Sequence, residues 1–169
     1  MDMLVISDTH DNLPAIKRMV KKADDIEYEY AIHCGDFIAP FTLPLLSKLK
    51  AKLVGVFGNN DGYKYGLMSK GQEYGMMIVE PPLELNIKNR RILVFHGFST
   101  VERTVDIVNS LANSGKYDVI LYGHTHKAEV RKLNGTLIVN PGEACGYLSG
   151  KYTFATVDLK NLEAEIVYF

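Results

Sequence analysis

Two histidines, His124 and His126, stand two residues apart directly after a short apolar run. That run, residues 118–122, is typical of a buried strand in an α/β sheet. Loops at the carboxyl ends of such strands often hold the chemistry of α/β proteins, and neutral imidazole is the commonest metal ligand among side chains. In an extended segment, residues i and i+2 point the same way, so both rings would face one point. The pair is therefore a candidate metal site, although loop histidines can also be solvated or cap a helix.

Further residues of ligand-forming types follow the other predicted strands. These strands and the residues after them are 3–6 with Asp8 and His10, 30–34 with Asp36, 52–57 with Asn59, and 91–95 with His96. Asp8 alone could be a helix cap, and the Asn-Asp-Gly sequence after Asn59 favours a turn whatever its function. Their recurrence at strand ends is hard to explain by turn chemistry, so we expect them to converge on one cleft. His33 lies inside a strand and is interpreted as a packed residue or one that supports a ligand.

The candidate ligands offer oxygen and nitrogen donors. They are Asp8, His10, Asp36, Asn59, His96, His124 and His126. This set is larger than one ion needs, and its mixture of carboxylate, amide and imidazole suits two borderline divalent ions such as Mn²⁺, Fe²⁺, Ni²⁺, Co²⁺ or Zn²⁺. Because no thiolate belongs to it, a structural zinc site is disfavoured.

The elements that must position these residues change character along the chain. Residues 3–57 are predicted to alternate as β-α-β-α-β, with helices from about residue 13 and over residues 41–49. Residues 63–75 indicate a glycine-interrupted helix or loop, and residues 101–112 a helix. The second half otherwise indicates mostly antiparallel hairpins, which pair 83–87 with 91–95, 128–133 with 136–139, and 152–159 with 163–169.

Composition excludes several classes of function. The chain has 169 residues, of which 47% are hydrophobic and 23% charged, and its net charge is −1. No basic block supports nucleic-acid coating or binding to a membrane surface. Neither a signal peptide nor an apolar run long enough to span a membrane is found. Cys34 and Cys145 match no zinc spacing and indicate free thiols in a reducing compartment. We therefore expect one cytoplasmic domain over residues 1–169.

The order of the motifs carries a family resemblance. Asp-x-His, Gly-Asp, Gly-Asn-x-Asp, His-Gly and Gly-His-Thr-His, which span residues 8–126, resemble the calcineurin-like metallophosphoesterase superfamily. Within it, the chain resembles the small single-domain phosphodiesterases of archaea and bacteria, and residues 140–142 (Asn-Pro-Gly) resemble a further family loop. The resemblance implies an α/β fold, a four-layer α-β-β-α sandwich of two mixed sheets, with a dinuclear metal site at the strand ends.

The resemblance also implies roles for the ligands. Asp8, His10 and His126 would hold one divalent ion, whereas Asn59, His96 and His124 would hold the other, and Asp36 would bridge the two. Mn²⁺ or Ni²⁺ is the first expectation for both ions, with Fe²⁺, Co²⁺ or Zn²⁺ as alternatives.

One position departs from the commoner family pattern. Many relatives carry a histidine directly after the ligand asparagine, where it contacts the phosphate and can protonate the leaving group. Here that residue is Asn60, which we expect to bind a phosphoryl oxygen of the substrate and to be the catalytic residue outside the metal shell. An amide cannot deliver a proton at neutral pH, so Asn60 cannot be a general acid.

The implied activity is metal-dependent hydrolysis of a small-molecule phosphodiester by a hydroxide that bridges the two ions. One alternative is a phosphomonoesterase or nucleotide pyrophosphatase that uses the same site. Another is a binding scaffold that keeps the fold without turnover. The tyrosine- and methionine-rich segment 63–77 could supply the interface of a homo-oligomer.

Overall fold

The computed structural model describes residues 1–169 and contains two β-sheets flanked by helices. In chain order the elements are β1 (Met3–Ile6), α1 (Leu13–Ala23), β2 (Tyr30–His33), α2 (Leu43–Leu46), β3 (Leu53–Val56), α3 (Lys64–Glu73), β4 (Met77–Val79), β5 (Leu83–Ile87), β6 (Arg90–Val94), α4 (Val101–Asn113), β7 (Val119–Leu121), β8 (Glu129–Leu133), β9 (Thr136–Asn140), β10 (Thr153–Asp158) and β11 (Glu163–Tyr168). A 3-10 turn, Pro40–Thr42, leads into α2. No helix is long and apolar enough to span a membrane.

Both sheets are mixed. The six-stranded sheet has the order β11-β10-β1-β2-β3-β4, in which β1 to β4 are parallel to one another. β10 pairs antiparallel with β1, and β11 pairs antiparallel with β10. The five-stranded sheet has the order β5-β6-β7-β9-β8, in which β6, β7 and β9 are parallel and the two edge strands antiparallel. In each sheet, the parallel strands therefore deliver their carboxyl ends to one edge.

Alternation along the strands sorts the side chains into layers. In β1, Leu4 and Ile6 pack with α1, α2 and α3, whereas Met3 and Val5 face the second sheet. The outer face of the second sheet packs on α4 through a separate apolar cluster that includes Val108. Because successive strand residues point to opposite faces, the fully buried strands β1, β7 and β9 show that the centre of each sheet is covered on both sides. The predicted four-layer α-β-β-α sandwich is confirmed.

The start of α1 shows whether Asp8 is a helix cap. The N-cap of this helix is Asn12, whose Oδ1 accepts the amide hydrogen of Ala15, and Pro14 lies in the first turn. Asp8 lies four residues earlier, in the loop after β1. It therefore does not cap the helix.

The structure differs from the predicted elements in three respects. The helix expected over residues 41–49 is only the 3-10 turn and the short α2, because the hydroxyls of Thr42 and Ser47 bond to carbonyls three residues back and tighten both ends. The strand β4 was not predicted, since three residues carry too little periodicity. The second half is less antiparallel than expected, because α4 crosses over between β6 and β7 and makes them parallel neighbours.

Candidate metal centre

All seven predicted ligands meet at the carboxyl ends of β1, β2, β3, β6 and β7. Two glycines let the loops that carry them approach closely. A Cβ atom on Gly123 would collide with Ser7 Oγ, and one on Gly58 would collide with Asp36 Oδ1. The glycines of the Gly-His-Thr-His and Gly-Asn-x-Asp motifs are thus required by the space between loops.

The first half of the centre consists of Asp8, His10 and His126. Asp8 is fully buried, and its Oδ1 lies 3.4 Å from His126 Nε2 and 3.6 Å from His10 Nε2. The other carboxylate oxygen accepts hydrogen bonds from Ser7 Oγ and from the amide of His124. One oxygen is therefore held by the protein, and the other faces two imidazoles.

The second half consists of Asn59, His96 and His124. Asn59 Oδ1 lies 3.0 Å from His96 Nε2 and 2.8 Å from His124 Nδ1. The remaining ring nitrogens contact carbonyls: His96 Nδ1 lies 2.7 Å from Cys34 O, and His124 Nε2 lies 2.9 Å from Ser99 O. Every ring nitrogen of this half thus has an oxygen neighbour, although a neutral imidazole carries one N–H and so donates to only one of its two neighbours.

Asp36 lies between the two halves. Its Oδ2 is 3.3 Å from His10 Nε2 and 3.4 Å from His96 Nε2, and the residue is almost fully buried. Burial raises the pKa of this carboxyl group, but the hydrogen bonds from His96 and Asn60 outweigh it and hold the pKa below its usual range. The carboxylate is thus a charged group shared by both halves, the position expected of a bridging ligand.

Left-handed backbone conformations dominate the centre. Five of the seven candidate ligands have positive φ, namely Asp8 (53°), His10 (40°), Asp36 (61°), His124 (69°) and His126 (57°). The extended geometry expected for the His124–His126 pair is therefore wrong, and each ring lies in a different half. Strained conformations of this kind persist where the surroundings enforce them, and they cluster at functional sites.

The residues fit a metal ion by an independent criterion. Asp8 Oδ1 and His10 Nε2 are buried without a hydrogen-bond partner, and such groups destabilise a fold unless something satisfies them. The ligand atoms of Asp8, His10 and Asp36 all lie within 4.8 Å of one another. The two carboxylates also raise the pKa of His10, although burial acts in the opposite direction. A cation bound here would give both unpaired atoms a partner.

Asn60 lies beside the bridge. Its backbone amide donates to Asp36 Oδ1 at 2.9 Å, and its side-chain Nδ2 donates to Asp36 Oδ2 at 2.7 Å. The residue is exposed. The sequence did not predict this contact, and the role of Asn60 toward a phosphoryl oxygen stays a prediction.

Glu143 is a site residue that the sequence reading missed. This buried carboxylate accepts a hydrogen bond from His126 Nδ1 at 2.7 Å and others from the backbone amides of Leu148 and Ser149. Burial raises the pKa of Glu143, yet its donors, Ser149 and His126 above all, lower it to about 2. The charged carboxylate therefore orients His126 so that Nε2 faces Asp8. Its position directly after β9 was the available signal.

Asp61 performs a comparable task between two loops. Its carboxylate accepts the amide hydrogens of Asp36, Ile38 and Gly58. It thereby ties the loop of the bridging aspartate to the loop of Asn59. Asp61 belongs to the Gly-Asn-x-Asp motif, but the sequence did not show what it does.

His33 is packed, as predicted from its place inside a strand. It is fully buried, stacks on Phe37 with 3.7 Å between ring centroids, and lies 3.2 Å from Thr9 Oγ1. Its Nδ1 accepts the amide hydrogen of Gly35. Burial lowers the pKa of His33 to about 3, so the ring is neutral. His33 thus contacts both the loop that carries Asp8 and the loop that carries Asp36.

Comparison with known proteins shows which family this fold belongs to. Residues 1–162 match the family model of the calcineurin-like phosphoesterase superfamily domain. A phosphodiesterase of Methanocaldococcus jannaschii is 32% identical over 164 residues, which cover 96% of each chain. A probable metallophosphoesterase of Bacillus subtilis is 31% identical over 84% of this chain and 74% of its own length. The solved structure of an archaeal phosphodiesterase superposes with a TM-score of 0.90 at 31% identity and covers both chains fully. The chain belongs to the calcineurin-like phosphoesterase superfamily.

Proposed function

We propose that the chain is a metal-dependent phosphodiesterase that acts on a small-molecule phosphodiester. The observation that carries this proposal is the buried, unpaired Asp8 Oδ1, which faces His10 and His126 while Asp36 links them to a second imidazole cluster. A site built in this way fits two cations. Membership of a phosphoesterase superfamily and the likeness to archaeal phosphodiesterases support the reaction class.

Each group of side chains has a part in this proposal. Asp8, His10 and His126 would hold the first ion, Asn59, His96 and His124 the second, and Asp36 both. When bound, a pair of such ions lowers the pKa of a water molecule, orients the phosphate and neutralises developing charge. Glu143 keeps His126 in the tautomer whose Nε2 is free to accept a cation.

Asn60 is the proposed substrate contact outside the metal shell. Its amide is exposed at the cleft, and one of its side-chain hydrogens is used by Asp36. The second hydrogen is available to donate to a phosphoryl oxygen. Because an amide carries no transferable proton at neutral pH, the leaving group must be a weak base or take its proton from water.

The donor set supports borderline divalent ions, and Mn²⁺ or Ni²⁺ is our first proposal, with Fe²⁺, Co²⁺ or Zn²⁺ as alternatives.

We further propose that the chain is one domain over residues 1–169 and works in the cytoplasm. Its free, buried cysteines, Cys34 and Cys145, suit a reducing compartment.

Self-association through α3 and its flanks is also proposed. Tyr65, Met68, Tyr74 and Met77 are exposed there, at 75, 40, 38 and 42% respectively. Exposed apolar side chains that lie close together mark interaction surfaces. Light scattering at several protein concentrations would detect a homo-oligomer, and Tyr65→Lys should convert it to a monomer.

Hydrolysis by metal-stripped and reloaded protein tests the main proposal. The substrates are bis(4-nitrophenyl) phosphate, a diester, and 4-nitrophenyl phosphate, a monoester, each with Mn²⁺, Ni²⁺, Co²⁺ or Zn²⁺ added. We expect no hydrolysis by the stripped protein, and metal-dependent hydrolysis that favours the diester. Preference for the monoester would instead support the phosphomonoesterase alternative. Absence of hydrolysis with every metal would contradict both and leave the binding scaffold.

A further inference from the structure

A single buried amide supports the loop that carries one histidine of each half. Asn140, the last residue of β9, is fully buried. Its Nδ2 donates to Gly123 O at 2.9 Å and to Thr125 Oγ1 at 3.0 Å, and its Oδ1 accepts the amide hydrogen of Gly142 at 2.9 Å. Both hydrogens of this side-chain amide are therefore used on the loop between β7 and β8.

Thr125, one of the two groups that Asn140 contacts in this loop, separates the two histidines. His124 and His126 both have left-handed backbone conformations, and Thr125 between them is buried. Such conformations persist only where the surroundings fix them. His124 Nδ1 contacts the second half of the centre, whereas His126 Nε2 faces the first. The position of Thr125 therefore bears on where both rings lie.

The hydroxyl of Thr125 holds the part of the loop that other contacts leave free. Backbone contacts to the rest of the centre come earlier in the loop, where Gly123 N donates to His96 O and His124 N donates to Asp8 Oδ2. The oxygen of Thr125 accepts from Asn140 and also from the amide of residue 127, so it closes a turn around residue 126.

The carbonyl group of the same amide shapes the next loop. Gly142, which donates to Asn140 Oδ1, has a left-handed φ of 77°, and a Cβ atom there would collide with Thr153 Oγ1. Glu143 follows directly and lies 2.7 Å from His126 Nδ1. One amide thus joins the loop of a ligand to the loop of the carboxylate that orients this ligand.

Resting on the proposed function, we propose that Asn140 is a positioning residue for both metal ions and acts through Thr125. By holding Thr125, it fixes the directions of the His124 and His126 rings, which supply one ligand to each half. Residues that orient metal ligands contribute about 10–100-fold to metal affinity. Glu143 contacts one of these histidines, whereas Asn140 holds the loop that carries both. Loss of Asn140 should therefore weaken both ions together.

Variants at both ends of the Asn140–Thr125 hydrogen bond test the proposal. Thr125→Val keeps the shape but removes the acceptor, and Asn140→Leu removes the donor. Calorimetry with Mn²⁺ should show both binding steps about 10–100-fold weaker in each variant. The visible absorption of the Co²⁺-loaded protein, which depends on how the ligands are arranged, should change in both. The losses should not add in the double variant, because both substitutions remove the same contact.

Two controls separate positioning from a loss of stability. Thr136→Val removes another buried hydroxyl, which lies at the opposite end of β9 and donates to Tyr117 O at 2.8 Å. It should lower the melting temperature and leave both metal affinities unchanged. Thr125→Ser keeps the acceptor and should retain wild-type affinity and the wild-type Co²⁺ spectrum. Thermal melts establish that each variant is folded, and Thr125→Val decides the matter if the larger change at Asn140 unfolds the chain.

The outcomes separate this inference from the proposed function. Wild-type affinity for both ions in folded Thr125→Val would overturn the inference, even where the aryl diester is hydrolysed. Weakening of one ion alone, or an equal loss in Thr136→Val, would overturn it as well. Weaker binding of both ions in the two variants, together with no hydrolysis by the metal-loaded wild type, would support the positioning role and contradict the proposed function.

Discussion

The two halves of the centre differ in how far the protein satisfies its own ligands. In the first half, Asp8 Oδ1 and His10 Nε2 are buried without partners. In the second half, Asn59 Oδ1 already contacts both His96 and His124, and His124 Nε2 contacts a carbonyl. A cation entering the first half satisfies atoms that otherwise cost free energy, whereas one entering the second half must displace existing hydrogen bonds. We therefore expect the first half to bind its ion more tightly.

Removal of the shared carboxylate should have the largest effect. Asp36→Ala deletes the group that contacts both His10 and His96, so both halves should lose affinity together. Loss of residues that only support ligands costs about 10–100-fold, so loss of a bridging ligand should exceed about 100-fold in metal affinity and in hydrolysis.

Asp36→Asn keeps the shape of the side chain but removes its charge. It should lose metal affinity and hydrolysis to the same degree as Asp36→Ala, because the amide is neutral. Metal content after dialysis and hydrolysis of the aryl diester measure both properties. Either variant that retains two ions and normal turnover would show that Asp36 is not the bridge.

Glu143→Gln should sharpen the difference between the halves. The glutamine keeps the shape but loses the charge that orients His126, so the first ion should bind about 10–100-fold more weakly while the second is little changed. Glu129→Gln, a similar replacement on β8, should leave both affinities unaltered. An equal loss at both sites would mean that Glu143 acts on the fold as a whole.

Replacement of Asn60 should affect the reaction more than metal binding. Asn60→His places a proton donor where many relatives carry one, and general acid catalysis contributes about 10²–10⁴-fold where the leaving group is poor. We expect faster hydrolysis of alkyl esters and monoesters relative to aryl diesters. The dependence of rate on leaving-group pKa should also become flatter. Rates across substituted phenyl and alkyl phosphates measure this, and parallel slopes for the two proteins would show that residue 60 takes no part.

His33→Gln should change stability and spare both halves. Loss of contacts to Thr9 and Gly35 should cost about 1–3 kcal/mol of unfolding free energy. The pKa of His33 is lowered to about 3 in the folded chain, from an ordinary value of 6.5, so the unfolded chain binds more protons between these values. The contribution of neutral His33 to the free energy of unfolding is therefore fully present above pH 6.5 and declines toward pH 3.

Denaturation of both proteins across this pH range tests the sign of that effect. The difference in stability between wild type and His33→Gln should shrink as pH falls. A difference that grows on acidification would show that the imidazole is charged in the fold.

The sequence predicted the convergence of the candidate ligands better than it predicted the residues that support them. Short apolar runs that end in Asp, Asn or His identify strand ends, and the strand ends of parallel sheets meet, so the convergence of the seven candidate residues could be predicted without coordinates. Glu143 follows β9 in the same way, but a carboxylate among Gly, Ala and Cys gives no sign that it is buried against His126. The same rule, applied to every strand, would have included it.

Backbone conformation and parallel pairing were harder to predict. The left-handed φ angles of Asp8 and His126 depend on contacts between loops that are distant in sequence, and no local pattern marks them. Likewise, the three-residue segment β4 is a strand because Ile78 pairs with Gly55 of β3. This pairing is a tertiary effect. What the sequence missed was set by contacts that form only once the chain has folded.

Calorimetric titration of Mn²⁺ into metal-stripped protein, with hydrolysis of bis(4-nitrophenyl) phosphate measured at each addition, tests the central claim most directly. Two binding steps of unequal affinity are predicted, with the tighter one weakened in Glu143→Gln and hydrolysis following occupancy of the weaker one. A centre built from two unlike halves would be contradicted by a single binding step or by two steps of equal affinity. Full hydrolytic activity before any metal is added would contradict it as well.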